Sequence, residues 1–235
     1  MCIIDFTKTL QRQDFPKEST HVRLLLEAIT GVEPSFIVYE DRIFDPDPEE
    51  ERVHLERVFA YELYRVWVNL LKEKGYKNAL VNGELSKNIK TRISYKMRKS
   101  DAQGGEERTI SPRVFPDFIL HHSQGDGANQ KIACEIKRAG SGRQAIFADL
   151  LKLSCLLDGE YFAFPFEHAV FVYICKGDIE PINLGNPQIL LGGMPITFEE
   201  YINSEEFSPN FRKIICIAYN GKDLKYSTLA EALGR

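Results

Sequence analysis

Three residues on two neighbouring strand-like segments carry side chains that could do metal-dependent hydrolytic chemistry. Asp117 lies in "RVFPDFIL", and Glu135 and Lys137 lie in "KIACEIKR". Alternate side chains of an extended chain share a face, so Glu135 and Lys137 point away from the apolar side of their strand. Carboxylates suit Mg²⁺, which polarises a phosphoryl oxygen and lowers the pKa of bound water. A lysine beside them can hold the attacking water or offset charge on phosphorus.

A hairpin would bring these three residues together. Pro116 lacks a backbone N–H, so the strand that contains Asp117 is expected to start or bend there. The chain between Asp117 and Glu135 is long enough to finish one strand, turn and return along its partner. The alternative is a half-exposed strand on which Glu135 and Lys137 form a plain ion pair.

A third acidic residue lies within the clearest helical pattern of the chain, residues 47–75. The apolar stripe of this helix is predicted to consist of Leu55, Phe59, Leu63, Val66 and Leu70. Glu62 falls on the same side, where an unpaired carboxylate is costly and should be paired, protonated or bound to metal. The alternative is that Glu62 lies at the edge of the stripe and bonds a neighbouring Arg or Tyr.

The remaining elements complete an α/β pattern. Helices are predicted over 19–31 and 143–157, and strands over 34–41, 78–86, 91–95, 113–122, 131–138 and 168–176. A capping box is predicted at Thr197–Glu200 and a final hairpin at Asn220-Gly221. This order predicts one domain, a mixed sheet covered by helices, with an N-terminal extension (1–47), a core (48–175) and C-terminal additions (176–235).

The motif P-D at 116–117 followed by E-x-K at 135–137 resembles the signature of the PD-(D/E)XK nuclease superfamily. The resemblance implies a restriction-endonuclease-like αβββαβ core. It further implies that Asp117, Glu135 and the Ile136 carbonyl bind Mg²⁺, with Mn²⁺ as a substitute. Glu62 would be an accessory ligand, and Lys137 would position or activate the hydrolytic water.

The second helix of the core also resembles that family. "RQAIFADLLKL" is similar to the D-x-x-K-L-like segment that the family packs against its sheet. Branches of the family with Q-x-x-x-Y in this helix differ from the present chain, because Gln144 is followed by Ala148 where the tyrosine would stand. Gln144 is therefore only a weak candidate for the site.

A basic segment could bind nucleic acid even though the 235-residue chain has a net charge of −4. "SKNIKTRISYKMRK" contains no acidic residue, and Arg138 and Arg143 flank the candidate site. The candidate phosphate-binding residues are Lys87, Lys90, Arg92, Lys96, Arg98, Lys99, Arg138 and Arg143. The alternative for the segment is a solvated strand face or loop.

The five scattered cysteines form no C-x-x-C pair, and no signal-peptide or membrane-spanning pattern is present. We therefore expect a cytoplasmic protein without a membrane partner; a homodimer is compatible with the sequence. The expected function is Mg²⁺-dependent hydrolysis of phosphodiester bonds, with DNA as the favoured substrate. The alternative is a catalytically inactive nuclease-fold protein that binds nucleic acid or a protein partner.

Overall fold

The structure of the chain is a computed structural model. It describes residues 2–6, 8–9, 19–37, 48–83, 95–97, 108–110, 116–122, 129–159, 165–191, 194–204 and 208–234. Most of the basic segment lies outside these residues, including Lys87, Lys90, Arg92, Arg98 and Lys99.

The described helices and strands follow one another in the order that an α/β chain requires. The helices are α1 (Thr20–Thr30), α2 (Pro48–Glu73), α3 (Arg143–Leu156), α4 (Phe198–Asn203), α5 (Ser208–Phe211) and α6 (Leu229–Ala232). The strands are β1 (Cys2–Ile4), β2 (Lys8–Thr9), β3 (Ala79–Gly83), β4 (Tyr95–Met97), β5 (Arg108–Ile110), β6 (Phe118–His122), β7 (Gln130–Arg138), β8 (His168–Ile174), β9 (Ile182–Gly185), β10 (Gln188–Leu191), β11 (Met194–Thr197), β12 (Ile215–Tyr219) and β13 (Leu224–Thr228).

A seven-stranded mixed sheet in the order β2-β13-β12-β8-β7-β6-β3 forms the centre of the described structure. β8 is parallel to both β7 and β12, whereas β6 is antiparallel to β7 and β3. β12 and β13 form the predicted final hairpin, with Tyr219 opposite Leu224. The prediction of an α/β fold with a mixed sheet flanked by helices is confirmed.

The two faces of the sheet belong to two separate apolar cores. Ile132, Cys134 and Ile136 of β7 pack in one core with α1 and α2. Ala133 packs in the other core with α3, α4, α5 and α6. The alternation predicted for "KIACEIKR" is therefore confirmed, and Glu135 and Lys137 lie on the side of α3.

Helix α2 packs against the sheet through residues spaced four apart. Phe59, Leu63, Trp67 and Leu71 are buried, while Val66 is partly buried. The predicted stripe contained two of these four buried residues and missed Trp67 and Leu71, because the buried row continues in steps of four residues whereas the prediction took a three-residue step to Val66.

Two local expectations need correction. The sequence predicts a strand over 34–41, but Pro34–Phe36 form a 3-10 helix whose first position tolerates the fixed φ of Pro34, and residues 38–41 lie outside the described residues. The strand expected over 113–122 begins at Phe118 within the described residues. The predicted capping box is present, since the Thr197 hydroxyl accepts from the Glu200 N–H and Glu200 accepts from Thr197 N–H.

No helix of the described residues is long and apolar enough to cross a membrane.

Candidate functional site

Asp117 lies at the point where β6 begins, directly beside β7. Phe118 is opposite Cys134 in the antiparallel register, so Asp117 and Glu135 are the next residues outward. The Ile136 N–H donates a hydrogen bond of 2.7 Å to Oδ2 of Asp117. The Asp117 side chain thus takes the place of a strand partner just before β6 begins. This hydrogen bond keeps its carboxylate against the peptide between Glu135 and Ile136.

Glu135 is a buried carboxylate held by a lysine of α3. Glu135 is 1% exposed, and its Oε1 lies 2.6 Å from Nζ of Lys152. Lys152 also contacts Asp149, one turn earlier on the same helix, at 3.1 Å. The i, i+3 spacing of Asp149 and Lys152 places both side chains over β7.

Lys137 is held by acidic residues from two helices. Its Nζ lies 2.9 Å from Oδ2 of Asp149 on α3 and 3.4 Å from Oε1 of Glu56 on α2. It also donates to the Ile136 carbonyl at 3.1 Å. Burial alone would lower the pKa of Lys137, but Asp149 and Glu56 more than offset this and raise it. Lys137 is therefore a fixed cation at neutral pH.

These contacts define a carboxylate–lysine cluster that consists of Asp117, Glu135, Asp149, Glu56, Lys137 and Lys152. When all six groups are ionised, its four carboxylates and two ammonium groups carry a formal charge of −2. Such an excess of buried negative charge is costly unless protons or a further cation neutralise it.

The pKa values of the carboxyl groups reflect this excess. Burial raises the pKa of Asp117, and its hydrogen bond from Ile136 only partly opposes the effect. Burial, and then the charge of Asp117, raises the pKa of Glu135 well above its usual range, against the pull of Lys152. Burial also raises the pKa of Glu56, although Lys137 lowers it. A divalent cation would relieve the same repulsion without protonation.

Glu62, the acidic residue singled out on α2, contacts a different partner. Both of its oxygens accept from Arg65, at 2.5 and 2.8 Å, and this hydrogen-bonded pairing lowers the pKa of Glu62. The Arg65 side chain is 61% exposed, so the pair lies at the surface, with Glu62 covered by its partner. Glu56 lies about 9 Å back along the helix axis and is the acid of α2 that reaches Lys137.

The donor set suits a hard cation. Asp117, Glu135 and the Ile136 carbonyl are all oxygen ligands, and Mg²⁺ commonly takes one or two carboxylates and keeps several waters. Among the described residues, no group of three or more His, Cys, Asp or Glu side chains is arranged to hold a metal ion. Any cation here would thus rest on two carboxylates, the Ile136 carbonyl and water, and the Glu135 oxygen that Lys152 now contacts would have to become available.

The other predicted site residues lie near this end of β7 or outside the described residues. Arg138 is half-buried and lines a narrow cleft with Ile37 and Phe59, whereas Arg143 and Gln144 are exposed at the start of α3. Lys96 lies in β4, and its side chain is outside the described set.

The sequence reasoning did not identify Glu56, Asp149 or Lys152 as site residues. The D-x-x-K spacing of Asp149 and Lys152 was part of the family-like segment expected to pack on the sheet, although an acid and a base one turn apart on a buried face also indicate a charged site. Glu56 has no comparable signal, because its role depends on how α2 crosses the sheet.

Comparison of the chain with models of protein families and with curated proteins gave no match.

Proposed function

We propose that this protein is a Mg²⁺-dependent nuclease that hydrolyses phosphodiester bonds, with DNA as the favoured substrate. The observation that carries the proposal is the convergence of Asp117, Glu135 and Lys137. Two strands bring the two carboxylates together, and the lysine lies on the same face as Glu135. This convergence requires the antiparallel register of β6 and β7, so it depends on the fold as well as on the motif.

The order of elements supports the finer assignment to a restriction-endonuclease-like core. From α2 to β8 the chain runs helix, strand β3, strands β6 and β7, helix α3 and strand β8. That succession agrees with the αβββαβ core implied by the resemblance to PD-(D/E)XK nucleases. Strands β4 and β5 form a separate pair between β3 and β6, which is an insertion relative to that core.

The residues of the cluster have distinct roles in the proposed reaction. Asp117 and Glu135 would hold Mg²⁺, which when bound supplies polarisation of the phosphoryl group and a more acidic water. Lys137 is protonated, so it donates to the attacking water or to the charged phosphoryl oxygens and does not act as the base. Asp149 and Glu56 fix the position of the Lys137 ammonium group.

A second candidate is a nuclease-fold protein without catalysis, in which the cluster serves stability alone. The contact of Lys152 with Glu135 at 2.6 Å favours it, because a lysine already neutralises one of the two metal-binding carboxylates. Under this alternative the protein binds nucleic acid or a partner, and Mg²⁺ has no specific site. Metal binding and cleavage together separate the two candidates.

The test is cleavage of plasmid and oligonucleotide DNA with Mg²⁺ or Mn²⁺ by wild type, Lys137→Ala and Lys131→Ala. Lys131 is the matched control, because it lies on the same strand and pairs with Glu167, about 20 Å along the strand from Lys137. We expect Lys137→Ala to lose at least about a hundredfold in rate, while Lys131→Ala cleaves like wild type. Circular dichroism must show that all three are folded.

Equal cleavage by wild type and Lys137→Ala, or no cleavage by wild type with either metal on DNA or RNA, would contradict the nuclease proposal. Salt-dependent DNA binding without cleavage would favour the second candidate.

A further inference from the structure

We propose that Lys152 is the resident counter-cation of the site: its ammonium group neutralises Glu135 in the metal-free protein and is displaced from it when a divalent cation binds. This inference rests on the proposed metal-binding role of Asp117 and Glu135. It assigns to Lys152 a positioning role that sets the affinity of the site for the metal.

The contacts of Lys152 carry the inference. Its Nζ lies 2.6 Å from Oε1 of Glu135, a shorter distance than the 3.1 Å that separates it from Oδ1 of Asp149. Glu135 is 1% exposed, so the ammonium group is the neighbouring cation that makes a buried charge tolerable. A metal ligated by Glu135 has to compete with this ammonium group for the same carboxylate.

The geometry also provides Lys152 with a second partner. Asp149 lies one turn earlier on α3 and contacts both Lys152 and Lys137. An ammonium group that leaves Glu135 therefore keeps a buried anion within reach on its own helix. Displacement breaks the ion pair of Lys152 with Glu135 and keeps the ion pair with Asp149. The lysine is therefore not left buried without a counter-charge.

The net charge of the whole cluster favours replacement of the Lys152 ammonium group at Glu135 by a divalent cation. With Lys152 in place, the cluster keeps a formal charge of −2 when fully ionised, which a divalent cation neutralises and a third lysine would only halve. Lys137 stays in contact with Asp149 and Glu56 throughout, so the residue proposed to meet the substrate does not have to move.

Replacement of Lys152 by a neutral side chain of similar length should therefore have opposite effects on two measurable quantities. Lys152→Met lowers the thermal stability of the metal-free protein, because the charge of Glu135 loses its partner. It also tightens Mg²⁺ binding, by about tenfold, because the competing cation is gone. A lysine with only a structural role would lower stability equally with and without Mg²⁺ and would not tighten binding.

The experiment is calorimetric titration of Mg²⁺ into wild type, Lys152→Met, Lys152→Arg and Lys131→Met, with thermal unfolding measured with and without Mg²⁺. Lys131 is the matched control, because its side chain is 15% exposed against 21% for Lys152 and pairs with Glu167. We expect Lys131→Met and the charge-retaining Lys152→Arg to bind Mg²⁺ like wild type. Lys152→Met should gain more thermal stability from Mg²⁺ than wild type does. If Lys152→Met does not fold, Lys152→Gln takes its place, since its amide is polar but carries no charge.

The possible results separate this inference from the proposed function. If wild type binds Mg²⁺ and the neutral variant binds it equally or more weakly, Lys152 is not a competing cation, while the metal site stands. If wild type does not bind Mg²⁺ and no Lys152 variant does, the metal site itself is wrong.

Discussion

Individual residues of the cluster are defined by the charges that face them. Lys137 is flanked by Asp149 and Glu56, which keep it protonated, while Asp117 and Glu135 repel each other across two strands. The pKa of a glutamate is therefore shifted in opposite directions at different places on the chain. Glu62 is a stabilised anion beside an exposed arginine, and Glu56 is a carboxyl group whose pKa is raised.

Two acids of α2, Glu56 and Glu62, allow a direct comparison at the residue scale. We expect Glu56→Gln to slow cleavage or weaken Mg²⁺ binding by at least about tenfold, because Lys137 loses one of the groups that orient it. Glu62→Gln should change both by less than about twofold and cost at most about 1 kcal/mol in stability, because its pair is at the surface. Cleavage assays and Mg²⁺ titrations on both variants check this. If Glu62→Gln instead has the larger effect on cleavage and Mg²⁺ binding, Glu62 is the acid that α2 contributes to the site, as the family resemblance implies.

At the scale of elements, β7 and α3 do most of the positioning. β7 buries its even-numbered apolar residues against α1 and α2 and directs Glu135 and Lys137 towards α3. α3 places Asp149 and Lys152 one turn apart above those two residues. Both segments were identified from sequence, because the period of two in β7 and the apolar content of α3 are local properties.

Helix α1 packs on the sheet at the end of β6 remote from Asp117, through a histidine pair. Nε2 of His21 lies 3.3 Å from Nε2 of His122. Burial, and then His122, lower the pKa of His21; Lys131 and His168 act in the same direction, and Glu167 opposes them. The folded protein therefore binds fewer protons at His21 than the unfolded chain does.

This linkage predicts a loss of stability in mild acid. His21 is neutral in both states well above its unfolded pKa of about 6.5, so its destabilising effect appears as the pH falls through that value. The free energy of unfolding of wild type should therefore fall more steeply from pH 7.5 to 5.5 than that of His21→Gln. Urea unfolding at several pH values measures this difference. The raised pKa values of Asp117 and Glu135 act in the opposite direction in both proteins, so the variant is compared with wild type at each pH. Parallel pH profiles would exclude the histidine pair as the cause.

On the scale of the whole molecule, the sheet is completed by segments at both ends of the chain. β12 and β13, from the region predicted as C-terminal additions, extend the sheet beyond β8, and β2 extends it further. α1, from the predicted N-terminal extension, packs in the same core as α2. α1, β12 and β13 contribute buried residues to the two apolar cores that hold β7 in place, so these three elements are part of the core and not only additions at its edge.

Charge distribution sets the expectation for nucleic-acid binding at this scale. Lys87, Lys90 and Arg92 belong to a segment without acidic residues, whereas the chain as a whole has a net charge of −4. If these three residues contact DNA phosphates, their joint replacement by Ala lowers the slope of log K against log salt by about 2 to 3. Fluorescence anisotropy over a range of salt concentrations measures the slope. Joint replacement of Lys213, Lys222 and Lys225, outside this segment, is the control and should leave the slope unchanged. An unchanged slope in the first variant would favour a solvated loop.

The sequence by itself determined those features that depend on residues close together along the chain. The two faces of β7, the extent of α2 and α3, the Thr197–Glu200 capping box and the Asn220-Gly221 hairpin are local consequences of periodicity and of turn or capping residues. The α/β class follows from the order of these elements.

Only the tertiary structure decided which charged groups meet. Glu56 and Lys137 are far apart in the chain, and their contact depends on the angle at which α2 crosses the sheet, which no local pattern encodes. Asp149 and Lys152 likewise became partners of Lys137 and Glu135 through the packing of α3 over β7. The physical reason is that a buried charge is stabilised by whichever opposite charge lies close in space, and that proximity is a property of the folded chain.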